Sequence, residues 1–237
     1  TMHKTSSLAV GKESVSGENA TAVGDKAKAG GYKAAALGYD STASGLSATA
    51  LGGESKAEAL RSVAVGFRAH AKGTNDVAVG GAAAASGGQS VAVGLLSKAS
   101  ALRAVAVGNG AQASNIDAVA IGRDSEADAL SATALGDRAK ARGTQSLALA
   151  SAAEAEGYQA VAVGTRAVSN AVNSVALGVE SSATALNGLA VGTSSSVRKE
   201  GGTAVGGGAS ALEEKSLALG FQAKGKAEKA VALGAQS

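Results

Sequence analysis

The sequence predicts an all-β repeat protein, a β-solenoid of about 17 coils built on a repeat period of 14. A four-residue motif recurs along the chain and reads LAVG at Leu189 to Gly192. It consists of a variable residue, then Ala, then Val, Leu or Ile, and finally Gly. The closing Gly recurs with this period from Gly24 to Gly234, with Ala150 in its place once, and only the first step, from Gly11 to Gly24, is shorter by one. Self-similarity at one fixed period indicates coils that stack on their neighbours.

The first element of each unit is predicted to be a short β-strand. Ala stands two residues before the closing Gly in all seventeen units, and Val, Leu or Ile stands directly before it. The residue three before the Gly is mostly Val or Leu, so large and small side chains alternate with the period of two that is typical of a strand. The Gly then ends the strand and permits a tight turn at positive φ.

A second strand is predicted after this turn. Small residues stand three and five positions after the Gly, as in Ala69 and Ala71, and a polar residue such as His70 lies between them. A second turn follows, often with another Gly, as at Gly73. One unit therefore reads strand, turn, strand, turn, which makes one flattened coil of a parallel solenoid.

The sizes of the side chains predict which face is inside. Two-residue turns hold the two strands closer than the usual ~10 Å between packed sheets, so only Ala, Ser or Gly fits between them. The Val and Leu columns then point outward, and because such a stripe is not stable in water, we infer an obligate homo-oligomer with the stripe as its shared core. The opposite assignment, with Val and Leu inside, allows a monomer and stays open. The predicted inter-chain core contains Val63, Val65, Val77, Val79, Val91, Val93, Val105, Val107, Val119, Ile121, Val161 and Val163.

Composition excludes several classes of protein. The 237 residues include 34 Gly but no Cys, Pro or Trp, so disulfide frameworks and thiol catalysis are excluded. The net charge is +3 with both signs interspersed, which argues against a nucleic-acid patch. Apolar residues in strict register argue against a disordered low-complexity segment. Residues 1–5 do not fit the repeat and are expected to be a linker or cloning remnant, whereas residues 6–237 are expected to form a single domain.

No pattern for catalysis or metal binding stands out. The chain has two His, His3 and His70, and neither a Cys/His ligand spacing nor a G-x-S-x-G or Walker motif. The calcium-binding nonapeptide repeat is also absent. We therefore expect no enzyme activity, no cofactor and no metal site.

A basic column stands four residues after the closing Gly, and a parallel solenoid places its members on one exposed face. Two interpretations stay open, a binding surface for an acidic or fibrous ligand such as a glycosaminoglycan or collagen, and a face that only confers solubility. The column, named the basic column below, contains Lys28, Lys56, His70, Lys98, Lys140 and Lys224.

Two further features of the repeat lead to expectations about the structure. An apolar column eight residues after the Gly, including Leu102, is either an adhesive ridge or a contact with a neighbouring subunit. Val197 stands where the repeat has Ala, which predicts a coil with a distorted second strand.

The unit from Ser62 to Gly73, SVAVGFRAHAKG, resembles the consensus repeat of the YadA-like heads of trimeric autotransporter adhesins. The resemblance covers residues 6–237. It implies a left-handed parallel β-roll assembled as a homotrimer, at the outer end of a bacterial surface fibre anchored in the outer membrane through parts outside this chain. It also implies binding to host extracellular-matrix proteins such as collagen, or to host cells.

The sequence therefore predicts a non-enzymatic adhesin head that contacts neither nucleic acid nor membrane. The alternative is a structural spacer, or an ice-binding type of solenoid without a host ligand. Ice binding needs a flat Thr-rich column, whereas the exposed columns here carry Lys, Glu and Ser. A hexapeptide acyltransferase is disfavoured because its coil period is a multiple of six.

Overall fold

The computed structural model describes residues 6–237, which form an all-β parallel β-solenoid without helices, as predicted. Each repeat supplies a three-residue first strand and a two-residue second strand, which gives about sixteen coils in the described residues. The chain divides into a first unit that ends at Asp117 and a second unit that begins at Ala118. Because residues 6–237 contain no helix, they offer no candidate for a membrane-spanning helix. Residues 1–5, the predicted remnant, lie outside the described residues.

Eight first strands and eight second strands alternate in the described part of the first unit. In chain order they are β1 (Leu8–Val10), β2 (Val15–Ser16), β3 (Thr21–Val23), β4 (Lys28–Ala29), β5 (Ala35–Leu37), β6 (Thr42–Ala43), β7 (Thr49–Leu51), β8 (Lys56–Ala57), β9 (Val63–Val65), β10 (His70–Ala71), β11 (Val77–Val79), β12 (Ala84–Ala85), β13 (Val91–Val93), β14 (Lys98–Ala99), β15 (Val105–Val107) and β16 (Gln112–Ala113).

The second unit continues the alternation and ends on a first strand. Its strands are β17 (Val119–Ile121), β18 (Glu126–Ala127), β19 (Thr133–Leu135), β20 (Lys140–Ala141), β21 (Leu147–Leu149), β22 (Glu154–Ala155), β23 (Val161–Val163), β24 (Val168–Ser169), β25 (Val175–Leu177), β26 (Ser182–Ala183), β27 (Leu189–Val191), β28 (Ser196–Val197), β29 (Thr203–Val205), β30 (Ser210–Ala211), β31 (Leu217–Leu219), β32 (Lys224–Gly225) and β33 (Val231–Leu233).

Within each unit, equivalent strands of successive coils pair in parallel. Val77 in β11 lies opposite Val63 in β9 on one side and opposite Val91 in β13 on the other. His70 in β10 lies between Lys56 in β8 and Ala84 in β12. Because the register equals the repeat length, residues of one repeat position stack into columns, and the two strands of a coil build two separate sheets.

A thin layer of Ala fills the space between the two sheets of each unit. The inward-facing Ala of both strands, such as Ala64 and Ala71, are completely buried, except in the terminal first strands, where Ala9 is exposed and Ala232 is half-buried. The Val and Leu beside the first-strand Ala are half-buried or exposed, and Leu51 is 45% exposed. This pattern confirms that Ala points inward and the large residues point outward, and it excludes the alternative with Val and Leu inside.

The closing Gly is required by a close approach between coils. Gly66 has a φ of +125°, and a Cβ on it would lie 2.6 Å from the carbonyl oxygen of Gly80 in the next coil. The predicted positive φ is therefore confirmed, and steric contact adds to the reason for Gly. Ala150, the exception, has a φ of +110°, which lies in a backbone region that residues other than Gly rarely adopt.

Ala150→Gly is expected to stabilise the protein. Removing backbone strain of about 1–3 kcal/mol outweighs the 0.5–1 kcal/mol, roughly, that the greater freedom of unfolded Gly costs, so the free energy of unfolding should rise by about 1 kcal/mol. Denaturant titration measures the change. Gly164→Ala is the matched reverse variant, since its Cβ would meet the carbonyl oxygen of Gly178, and it should destabilise. A decrease on Ala150→Gly would contradict this account.

Ordinary residues occupy left-handed backbone conformations in both turns. In the first turn of each coil, the residue two after the closing Gly has positive φ, for example Glu54 at 57° and Arg68 at 57°. Their N–H groups donate to the carbonyl oxygens of Tyr39 (2.7 Å) and Gly53 (2.9 Å) in the preceding coil. These bonds between coils repeat along the chain and offset the cost of the conformation.

Val197 is accommodated without loss of strand register, contrary to the predicted distortion. It is fully buried in β28, where it pairs with Ala183 and Ala211. Gly188 and Gly202 stand in a column that otherwise holds mostly Ala or Ser, and a Cβ on either would lie 2.9 Å from Val197 Cγ1. The extra volume of Val therefore occupies the space that two missing methyl groups leave.

Candidate functional site

The outer face of the first strands is an apolar stripe, formed by the residues one and three positions before the closing Gly. The twelve residues predicted as inter-chain core belong to it; eleven are half-buried, and Ile121 is 38% exposed. An exposed apolar surface that repeats in every coil is typical of an interface between chains. The stripe therefore provides a surface on which further copies of the chain can pack.

The outer face of the second strands carries the basic column. Its six members occupy equivalent positions in β4, β8, β10, β14, β20 and β32. Only Lys56 and His70 are direct neighbours, whereas Thr42 separates Lys28 from Lys56, and Ala84 separates His70 from Lys98. In the first unit the structure thus brings Lys56 and His70 together and separates Lys28 and Lys98 from them by one strand each, whereas Lys140 and Lys224 belong to the second unit.

In the second unit, carboxylates pair with cationic side chains on the outer face of the second strands. Lys140 lies between Glu126 and Glu154, and its Nζ is 3.2 Å from Glu154 Oε1. Arg142 bridges Glu126 at 2.6 Å and Glu156 at 3.3 Å, so hydrogen bonds to these carboxylates raise its pKa.

In the first unit the Lys residues of the basic column are free of such pairs. Lys28, Lys56 and Lys98 are exposed and form no ion pair within residues 6–237. Their ammonium groups are therefore available to a ligand.

Charged pairs also connect the turns of successive coils. The guanidinium of Arg103 lies 2.5 and 2.7 Å from the carboxylate oxygens of Asp117, and these hydrogen bonds lower the pKa of Asp117. Arg123 lies 2.7 and 3.0 Å from Asp137 and lowers the pKa of that carboxyl in the same way. Since the Arg side chains are exposed and the Asp side chains are only half-buried, solvent screens each pair, which contributes little to stability. The sequence analysis predicted none of these pairs, although opposite charges one repeat period apart, as at Arg103 and Asp117, are a signal for them.

The described residues hold no candidate metal centre, because no three His, Cys, Asp or Glu side chains lie close enough to share an ion. His3 lies outside the described residues. The one fully buried charged side chain among residues 6–237 is Asp76. Its carboxylate accepts hydrogen bonds from Gly73 N–H (2.6 Å), Ser90 N–H (2.9 Å) and Ser90 Oγ (2.8 Å), so its role is structural.

A family model described as the YadA head domain repeat matches nearly all of the described chain. The matches cover residues 16–41, 43–69, 71–97, 99–125, 127–149, 155–181, 169–195, 198–223 and 211–237. No curated protein matches the chain. The matched repeats cover nearly the same residues as the stacked coils with their Ala interior. The chain therefore belongs to the YadA head domain family of adhesin-type repeats.

Proposed function

We propose that this chain is the non-enzymatic head of a trimeric bacterial surface adhesin, which attaches the cell to host extracellular matrix or to host cells. The observation that carries the proposal is the apolar stripe outside a completely buried Ala interior. Three copies that pack their stripes together remove this surface from water, which a single chain leaves exposed. Membership of the YadA head family supports trimeric association, adhesion and a position on the cell surface.

Burial of the apolar stripe leaves the second-strand face as the broad outer surface of the assembly. Each chain of the trimer presents it once, so weak contacts on several coils and three chains act together through avidity. The ligand face is centred on the unpaired Lys of the basic column in the first unit, Lys28, Lys56 and Lys98, with His70 beside Lys56.

Attachment of the purified chain to surfaces coated with collagen, other matrix proteins or host cells tests this function. We expect saturable attachment that weakens with salt, because the face is basic. Lys98→Ala should lower the affinity about two- to fivefold, the size expected of one exposed ionic contact. Lys33→Ala, which removes the same charge from a second turn, is the matched control.

The opposite results separate the alternatives. Failure of the unmodified chain to attach to any matrix protein or host cell would contradict adhesion and support a spacer. Thermal hysteresis in ice-growth assays would support an ice-binding solenoid instead. Attachment that Lys98→Ala leaves unchanged would remove that part of the basic column from the ligand face.

A further inference from the structure

A concave site lies in the first unit, where the first turns and the second strands of three successive coils meet. Its volume is about 310 Å³, and Asp40, Glu54, Lys56, Arg68 and His70 line it together with Ala69. We call these residues the first-unit corner. Cationic and anionic side chains therefore converge on a cavity at the lower end of the size range of small-molecule sites.

One cationic side chain of the first-unit corner, Arg68, is held by its neighbours. The Arg68 guanidinium lies 4.8 Å from the centre of the Phe67 ring, and its Nε is 2.8 Å from Glu54 Oε2, which raises the pKa of Arg68. The Phe67 ring in turn lies against Gly53, where a Cβ would be 3.5 Å from it. His70 Nε2 lies 3.0 Å from Glu58 Oε1, but no hydrogen bond joins the two atoms. A ligand that meets Arg68 therefore orders few additional side chains.

The other charged groups of the first-unit corner are unpaired. Neither the Lys56 ammonium nor the Asp40 carboxylate forms a hydrogen bond or ion pair with another residue in the range 6–237. Asp40 bonds through its backbone N–H, which donates to the carbonyl oxygen of Asp25 at 2.9 Å. One free cation and one free hydrogen-bond acceptor thus share a cavity with a fixed guanidinium.

The corresponding corner of the second unit provides an internal comparison. It is larger, about 550 Å³, and its lining includes Arg138, Lys140 and Arg166 at the same repeat positions. These cations are already paired, Arg138 with Asp137 at 3.1 Å, Lys140 with Glu154 at 3.2 Å, and Arg166 with Glu180. Size alone therefore does not distinguish the first-unit corner, whereas its unpaired charges do.

We propose that the first-unit corner binds an acidic sugar residue of a glycan. The carboxylate or sulfate of the sugar pairs with Lys56 beside Arg68, and hydroxyl groups of the same ring donate to the Asp40 carboxylate. An acidic peptide fits less well, because it lacks ring hydroxyls and brings further carboxylates towards Asp40 and Glu54. The inference rests on the proposed adhesive function and names the chemical class of one ligand.

Isothermal titration of the full chain with short oligosaccharides tests the proposal. The probes are a hyaluronan tetrasaccharide, which carries carboxylates, a heparin-derived tetrasaccharide, which also carries sulfates, neutral lactose and a penta-glutamate peptide. We expect one or both anionic sugars to bind at least about tenfold more tightly than lactose and penta-glutamate, since hydrogen bonds to charged groups are the stronger ones. Equal binding of the two sugars would show that the carboxylate is sufficient, and tighter binding of the heparin-derived sugar would show that sulfates contribute.

Four variants separate a defined site from general attraction. Lys56→Gln should lower the affinity about tenfold, the effect of one lost charged hydrogen bond, and Lys56→Arg should restore part of it. Arg166→Gln, at the corner of the second unit, should leave it unchanged. Asp40→Asn decides the role of the carboxylate: the proposal expects weaker binding, whereas charge attraction alone expects tighter binding, because a negative charge has been removed.

Absence of binding by both anionic sugars would overturn the proposal, as would equal losses in Lys56→Gln and Arg166→Gln or tighter binding in Asp40→Asn. Equal or tighter binding of penta-glutamate would assign the corner to acidic peptides instead. Melting curves of the variants check that the fold is intact. If the unmodified chain attaches to matrix or host cells but binds no sugar, this inference fails and the adhesive function stands; if it attaches to none of them, the function fails.

Discussion

Val105→Asp is expected to dissociate the assembly of chains. Val105 lies in the apolar stripe on β15, so a trimer of this variant would bury three carboxylates close together without partners. Each buried, unpaired carboxylate costs several kcal/mol, roughly, which exceeds the contribution of one Val to an interface. Light scattering should show a decrease from three times the chain mass of 22.4 kDa towards a single chain. Val107→Asp, on the same face of β15, should behave in the same way.

Gln112→Asp is the matched control for this experiment. Gln112 belongs to the same coil, in β16, and is exposed on the outer face of the second strand. The same carboxylate introduced there remains in water, so the mass should not change. If Val105→Asp and Val107→Asp stayed trimeric and as stable as the unmodified chain, the apolar stripe would not be the interface.

Gly202→Ala is expected to have the second large effect, by overfilling the interior of the second unit. The new Cβ would lie 2.9 Å from Val197 Cγ1 and 3.1 Å from both Ala211 Cβ and the carbonyl oxygen of Lys199. Overpacking of this kind lowers the free energy of unfolding by about 1–3 kcal/mol, and the reduced freedom of the unfolded chain recovers only part of that, about 0.4–1 kcal/mol. Denaturant titration measures the difference.

A double-mutant cycle isolates the contact with Val197. Val197→Ala alone should also destabilise, because it leaves a cavity between Gly188 and Gly202. Val197→Ala combined with Gly202→Ala places Ala at two positions where most other coils have a small residue such as Ala. The double variant should therefore lose less free energy of unfolding than the sum of the losses in the two single variants. Additive effects would mean that Val197 and Gly202 do not share the space.

The period and the alternation of residue sizes predicted the strands, the columns and the Ala interior. The alternation of Val63, Ala64 and Val65 illustrates the reason. A two-residue period places neighbouring side chains on opposite faces of a strand, and a thin coil admits only small side chains in its interior. The role of Gly202 was not predictable, since it depends on contact with Val197, five residues earlier and on the other strand. The positive φ of Arg68 gave no signal in its residue type, because a hydrogen bond from Arg68 N–H to Gly53 in the preceding coil supports it.

The candidate site was predictable in outline only. The register placed the basic column on one face, as the common position of Lys56 and His70 implied. Which of its members are neutralised depends on side-chain geometry, as the 3.2 Å pair between Lys140 and Glu154 illustrates. Arg68 became a candidate only when its contacts with Phe67 and Glu54 and its place beside Lys56 were known.

The central claim is that the apolar stripe is the shared core of a trimer, and the molar mass of the unmodified chain in solution tests it most directly. Light scattering during size-exclusion chromatography should give three times the chain mass of 22.4 kDa at every concentration at which the protein is folded. A folded and soluble species of 22.4 kDa would contradict the account, because the Val and Leu columns would then be stable in water.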